Sequence, residues 1–140
     1  MALYLSNDQE VVDREDAAAY FDLSYARGHM IIADHNNHAF GSLGVTKIGT
    51  YARIVKEDGE IEFYVCTAIF KGRNTGKGIT DIHGNNVADK ADLMMYTCYN
   101  GRQNVWVVLW EKTLSPEEQQ TKDILTNFIT NSQALIDEML

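Results

Sequence analysis

Two thiols and one short histidine-bearing segment are the places where this sequence could do nucleophilic chemistry. The thiols are Cys66 and Cys98; the segment "ADHNNHAF" sets Asp34, His35 and His38 within five residues. A cysteine attacks as its thiolate, and at an ordinary pKa of ~8.5 it is only a few per cent thiolate at neutral pH, so a neighbouring histidine or positive charge decides its reactivity. Cys98 ends an apolar run, "DLMMYTC", just before a turn. Cys66 lies mid-run among Tyr64, Val65 and Phe70, with no chemical partner nearby in sequence, and reads as an inert core thiol.

Other chemistries fare less well on spacing. Asp34, His35 and His38, with Cys98, could hold zinc, but a structural zinc site wants four ligands, no CxxC follows, and His83 is the only remote addition. A polar loop after a strand explains the segment without a metal. No metal and no cofactor is therefore expected. "GRNTGKG" (Gly72 to Gly78) looks like a phosphate loop and fails: its first glycine is one residue too close to the Gly-Lys pair, and Gly78 stands where a hydroxyl is needed.

The elements that would position these residues read mainly as β. "HMIIA" (His29 to Ala33) is a short apolar run; "TYARIV" (Thr50 to Val55) alternates and meets "IEFYVCTAIF" across Asp58-Gly59, a hairpin signal. "DLMMYTCY" and "QNVWVVLW" flank Asn100-Gly101, a second one. Asp13 to Ala26 fits either a helix or an edge strand. "KGRNTGKGITDIHGNNVADK" (Lys71 to Lys90) carries four glycines and no period, which reads as a long functional or mobile loop. Trp106 and Trp110 share one face by alternation and read as core or helix-packing residues. Ser115-Pro116-Glu117-Glu118 then starts a helix expected to run to near Glu138, with an N-cap serine and proline at the first position. Its stripe of Ile124, Leu125, Phe128, Ile129, Leu135, Ile136 and Met139 is expected to pack on the barrel or on a partner, burying Ile124, Leu125, Phe128 and Ile129.

Composition bounds the rest. At 140 residues, nearly half apolar, the chain is read as one domain over 1–140, with a core about 20–112 and a helix about 116–138. A net charge of −8 argues against binding nucleic acid or anionic membranes. No apolar run reaches the ~18 residues of a membrane span, and "MALYLSNDQE" lacks a signal peptide's pattern.

Here the sequence resembles the sortase family. "IIADHNNHAFGSLGVTKIGTYARI" is similar to the segment in which a strand ends at the catalytic histidine, followed by a phenylalanine, a leucine and a glycine. "DLMMYTC" is similar to the second signature, an apolar strand ending in Thr-Cys, with "DGEIEFYVCTAIF" between them. The resemblance covers about Tyr20 to Lys112. It implies a mixed, mostly antiparallel closed β-barrel with short helices, to which the C-terminal amphipathic helix is an addition. It also implies a cysteine transpeptidase that cleaves a sorting signal of the Leu-Pro-x-Thr-Gly type, holds the acyl part as a thioester and passes it to an amine. The partners would be a surface-protein or pilin sorting peptide and an amine acceptor on peptidoglycan or a pilin. Cys98 would be the nucleophile, His35 the acid/base, and an arginine the oxyanion donor. Thr97, Asn36 and Gln103 would bind substrate in a groove walled by the Lys71 to Lys90 loop. The implied location is the cell surface if a targeting segment is missing, otherwise the cytoplasm.

The arginine departs from the pattern. Arg102 is the only arginine after Cys98 and lies in the turn rather than on the following strand. A two-residue Asn100-Gly101 loop pairs Cys98 with Gln103 and sends Arg102 to the other face; a three-residue loop returns it to the rim near Cys98. Gln103 and Asn104 are the other donors there. Asp34 also replaces the glycine common before the histidine. Two other readings follow: a sortase-shaped binding module without catalysis, and a metal-binding β-domain on Asp34, His35 and His38.

Overall fold

The computed structural model describes residues 2–5, 17–21, 30–36, 39–56, 58–101 and 103–139. In chain order these form β1 (Ala2–Leu5), β2 (Ala17–Phe21), β3 (Met30–Ala33), a 3-10 helix (Ala39–Val45), β4 (Tyr51–Val55), β5 (Ile61–Asn74), β6 (Ile79–Thr80), β7 (Leu93–Asn100), β8 (Asn104–Thr113) and α1 (Pro116–Met139). The strands make one sheet in the order β1-β2-β3-β7-β8-β5-β4, with β6 against β5. It is mostly β and curls into a half-barrel, with β1 and β4 as its outer strands among the described residues. Parallel pairs are β1–β2 and β3–β7; the others are antiparallel. The segment that fitted helix or edge strand contains β2, which lies inside the sheet between β1 and β3.

Both expected hairpins are present. At the first, Asp58 Oδ1 accepts the Glu60 amide at 2.9 Å and Gly59 takes φ 87°, the left-handed conformation that favours glycine. Behind it, Glu62 accepts from Tyr64 Oη and pairs with Lys56 and, at 3.6 Å, with Lys112, tying β4, β5 and β8. These partners, Lys56 first, hold the Glu62 carboxyl below its ordinary pKa although burial works the other way.

Alternation along the strands divides the apolar side chains between the two faces. One cluster gathers Ile31, Ala33, Met94, Val105, Val107 and Leu109, with Tyr96 and Cys98 packed against it. The other gathers Ile32, Leu93, Val108, Trp110, Tyr64 and Cys66 with Phe40 and Leu43 of the 3-10 helix. Trp110 is thus core. Trp106 is half-buried and lies beside the Tyr99 ring, with centroids 5.7 Å apart.

The glycine-rich segment is more ordered than its sequence suggests. β5 runs on to Asn74, and β6 pairs back through Arg73↔Thr80 and Asn74↔Ile79. The Asp81 carboxylate accepts the His83 and Asn85 amides at 2.9 Å, closing a turn. Ile79, Val87, Ala88 and Ala91 then drop into the first cluster. Irregular spacing hides these anchors from any periodic reading, because each is buried by tertiary contact alone. Gly72 makes the return possible: a Cβ there would sit 2.4 Å from the Thr80 carbonyl oxygen. Gly72→Ala is expected to push β6 off β5 and cost about 1–3 kcal/mol, as overpacking does. Urea unfolding of the variant, with unchanged stability as the contrary result, checks this.

The helix is as expected in extent and differs in packing. Ser115 Oγ accepts the Glu118 amide at 3.1 Å, the expected N-cap. No α1 side chain is buried, and Ile124, Leu125, Phe128 and Ile129 are all exposed. The expected burial on the barrel is corrected: α1 leaves β8 after only Leu114 and Ser115 and projects from the sheet, so its stripe meets solvent. No helix among the described residues is long and apolar enough to cross a membrane.

Candidate functional site

The site is built by the parallel pair at the middle of the sheet. β3 and β7 run in step from Met30↔Leu93 to Ala33↔Tyr96. Two residues further along each chain stand His35 and Cys98. The pairing ends at Ala33↔Tyr96: His35 lies two residues past the end of β3, and Cys98 lies on β7 two residues past its last residue paired with β3. Ile31 and Ala33 on β3 share a cluster with Met94, Tyr96 and Cys98 on β7.

Local contacts hold both ends of this strand pair. The Met30 amide donates to the Asp92 carbonyl at 2.9 Å, and Asp92 Oδ2 accepts the Lys112 amide at 2.8 Å, fixing the starts of β3 and β7 to the end of β8. The buried Asp34 carboxylate accepts the His35 amide at 2.8 Å as β3 ends, through Oδ1. This is a structural use for the residue standing where the family pattern has glycine. Beyond it the chain closes on itself: a Cβ at Gly41 would sit 2.5 Å from the Asn36 carbonyl oxygen. Phe40 and Leu43, two of the residues that carried the resemblance, are buried anchors of the 3-10 helix, and a Cβ at Gly44 would meet the Trp106 ring at 2.6 Å. The segment after His35 is therefore clamped to the sheet by residue types with a packing reason.

The two thiols differ as the sequence suggests. Neither is in a disulfide; Cys66 is buried and Cys98 only partly so. Burial raises the Cys66 thiol above its ordinary pKa and keeps it protonated.

The remaining site residues separate. Cys98 pairs with Val105 and Asn100 with Asn104, with a bulge between, so the loop holds three residues, Gly101 to Gln103. This is the longer of the two loops considered. Arg102, at its centre, lies outside the described residues, as does His38. Asn36 is exposed next to His35. Gln103 is exposed and lines a polar cleft of about 520 Å³ with Arg73, Asn74, Thr75 and Gly76 at the hairpin tip. Thr97, expected among the substrate-binding residues of the groove, is 2% exposed and alternates away from Cys98. Its Oγ1 finds no hydrogen-bond partner among the described residues. Thr97→Val is therefore expected to leave stability unchanged or slightly raised, since a buried hydroxyl without a partner is a cost of about 1–3 kcal/mol. A drop in melting temperature on that replacement would point to a hydroxyl contact.

Among the described residues no three His, Cys, Asp or Glu side chains gather as a metal site. Sequence reasoning missed an apolar cleft of about 740 Å³ between the sheet and the folded-back segment, lined by Phe70, Leu109, Ile82 and Val87 with Lys71 and Lys90. The lone apolar residues Ile82 and Val87, in an otherwise polar stretch, were the signal for it.

Comparison with known proteins adds the fold. No family model matches the sequence, and no curated protein matches it. Solved structures do match. Sortase C1 from Streptococcus agalactiae aligns with a TM-score of 0.59 at 16% identity over 81% of this chain and 61% of that one. A lid mutant of sortase A from Corynebacterium diphtheriae gives 0.59 at 18% over 84% and 66%. The sortase D5 transpeptidase of Clostridium perfringens gives 0.58 at 18% over 80% and 70%. The chain thus spans 61% and 66% of the first two. At these identities the likeness is one of architecture: the chain has a sortase-like fold.

Proposed function

We propose that this protein is a sortase-like cysteine transpeptidase with Cys98 as nucleophile and His35 as acid/base. The observation that supports the reading is the in-step parallel pairing of β3, the strand that leads into His35, with β7, the strand that carries Cys98. In the proposed reaction the Cys98 thiolate adds to a peptide carbonyl of a sorting signal. His35 donates a proton to the departing amine as the tetrahedral intermediate collapses to a thioester. An incoming amine gives its proton to His35, attacks the thioester and releases Cys98. Substrates would be surface-protein or pilin peptides, and one neighbour is described as a pilus-related sortase C of group B Streptococcus. Such a reaction would take place on the outer face of a cell, where those peptides and their acceptors meet. The test is intact-mass analysis after mixing the protein with Leu-Pro-x-Thr-Gly-type peptides and hydroxylamine. A thioacyl adduct on Cys98 and a peptide hydroxamate are expected; neither appearing across a broad peptide set sinks the proposal.

One observation favours a second reading, a sortase-shaped module that binds peptide without cleaving it. β8 carries no arginine from Asn104 to Thr113, and the residue facing Cys98 is the fully buried Val105. The oxyanion donor would then be Arg102 or Gln103 of the loop or Asn104 at the start of β8. Binding of a peptide by the protein with no thioester formed would select this reading over catalysis.

A further inference from the structure

Three parts of the chain meet on one indole ring, that of Trp106. It alternates with Val105 and Val107, which lie in the cluster against which Cys98 packs, so it stands on the opposite face of the sheet. From the segment after His35, the 3-10 helix lays Gly44 on it: a Cβ there would sit 2.6 Å from the ring. From the turn after Cys98, the Tyr99 ring lies against it, with centroids 5.7 Å apart and planes at 51°. From β5 comes Lys71, the strand partner of Trp106. Its ammonium lies 5.2 Å from the indole centroid and 4.9 Å from that of Tyr99. A cation shared by two rings favours the one arrangement in which both face it.

The line of contact runs on toward His35. Earlier in the same helix, a Cβ at Gly41 would sit 2.5 Å from the Asn36 carbonyl oxygen, so the backbone next to His35 rests on the helix. Phe40 and Leu43 anchor that helix in the second cluster, on the face that Trp106 shares. In a close-packed chain a shift of the helix is therefore felt at both Asn36 and the indole ring. At the other end, Trp106 pairs with Thr97, the residue before Cys98, while Tyr99 is the residue after it. Gly41 and Gly44 each permit an approach of backbone that a side chain would block.

We infer that Trp106 is a positioning residue: by bracing the 3-10 helix and Tyr99 from the far face of the sheet, it sets the spacing between His35 and the Cys98 thiol. The inference rests on the assignment of those two residues as acid/base and nucleophile. Because the ring stands on the face away from Cys98, it bears on the alignment of the reacting groups and not on the grip on peptide. Alignment matters on this scale, since a misplacement of about 1 Å can cost 10²-fold in rate.

The experiment compares the wild type with Trp106→Leu, Trp106→Phe and Gly44→Ala, each shown to be folded by circular dichroism under assay conditions. Two quantities are read. One is the kcat and KM of peptide transfer; the other is the pH profile of Cys98 alkylation by iodoacetamide. Trp106→Leu is expected to lower kcat at least about tenfold with KM changed less than about twofold, and to move the alkylation profile to higher pH. Gly44→Ala, which displaces the helix and keeps the indole, should show the same split. Trp106→Phe keeps a ring against Tyr99 and should recover most of the rate. A merely structural role would scale activity with the folded fraction and leave the alkylation profile in place, which overturns the inference. So does a KM that rises as kcat falls. The two readouts also separate this inference from the assignment beneath it. A wild type that forms no thioester, yet whose Cys98 profile shifts in Trp106→Leu and Gly44→Ala, ends the transpeptidase reading and upholds the brace. An active wild type whose rate and profile are indifferent to Trp106 upholds the reading and ends the brace. A profile indifferent to Trp106 in an inactive protein ends both.

Discussion

Cys98→Ala is expected to abolish thioester formation and peptide transfer outright while leaving the fold and peptide affinity intact. The expectation is this large because covalent catalysis has no partial substitute here. The other thiol, Cys66, is buried on the opposite face of the sheet, and its raised pKa keeps it protonated. Nothing can take over as nucleophile, so product should fall to background rather than to a reduced rate. The side-chain change itself is mild: Cys98 is only partly buried at the margin of its cluster, and trimming one sulfur leaves little cavity. Thermal unfolding within a few degrees of wild type, binding of the sorting peptide unchanged, and no hydroxamate in the assay are the combined result expected. Residual turnover in Cys98→Ala would remove Cys98 from the nucleophile's role and, with it, the transpeptidase reading.

The parts of this fold legible in the sequence are those written in local chemistry. Asp58-Gly59 and Asn100-Gly101 mark their turns because a left-handed residue is required there, and Gly59 and Gly101 both adopt it. Ser115 and Pro116 mark the start of α1 for a similar reason, the satisfaction of its first amides. What the sequence conceals is set by tertiary contact. The folded-back segment from Ile79 to Ala91 has no period, since its apolar residues are caught one at a time by the cluster around Val105 and Val107. The stripe of α1 was readable, but its partner was not: amphipathicity says that a face wants covering and leaves open what covers it. The site divides along the same line. His35 and Cys98 are 63 positions apart, and only the resemblance linked them before β3 and β7 were seen to run in step. The resemblance implies a substrate-binding role for Thr97, but as the strand neighbour of Cys98 it alternates to the other side and is buried.

His35→Ala is expected to slow peptide transfer by about 10²–10⁴-fold, the usual scale for losing a positioned general acid/base. Two separate tasks fail together. The thiol loses the base that raises its thiolate fraction, and the departing amine loses its proton donor, so both acylation and its reversal onto an acceptor are slowed. Activity need not vanish, because the residual thiolate can still attack and water can still protonate the leaving group, however slowly. Thiol alkylation separates these contributions. With iodoacetamide below pH 8, Cys98 should react readily in the wild type and far less so in His35→Ala, and the buried Cys66 serves as an unreactive internal reference in both. His38→Ala, two positions beyond Asn36, should matter far less, since the resemblance gives the acid/base role to the first histidine of the segment, His35. Equal losses from the two histidine substitutions would mean that the segment as a whole, rather than the ring of His35, supports the thiol. A Cys98 that alkylates at the same rate with and without His35 would separate the two residues altogether and leave the peptide-binding module as the reading to pursue.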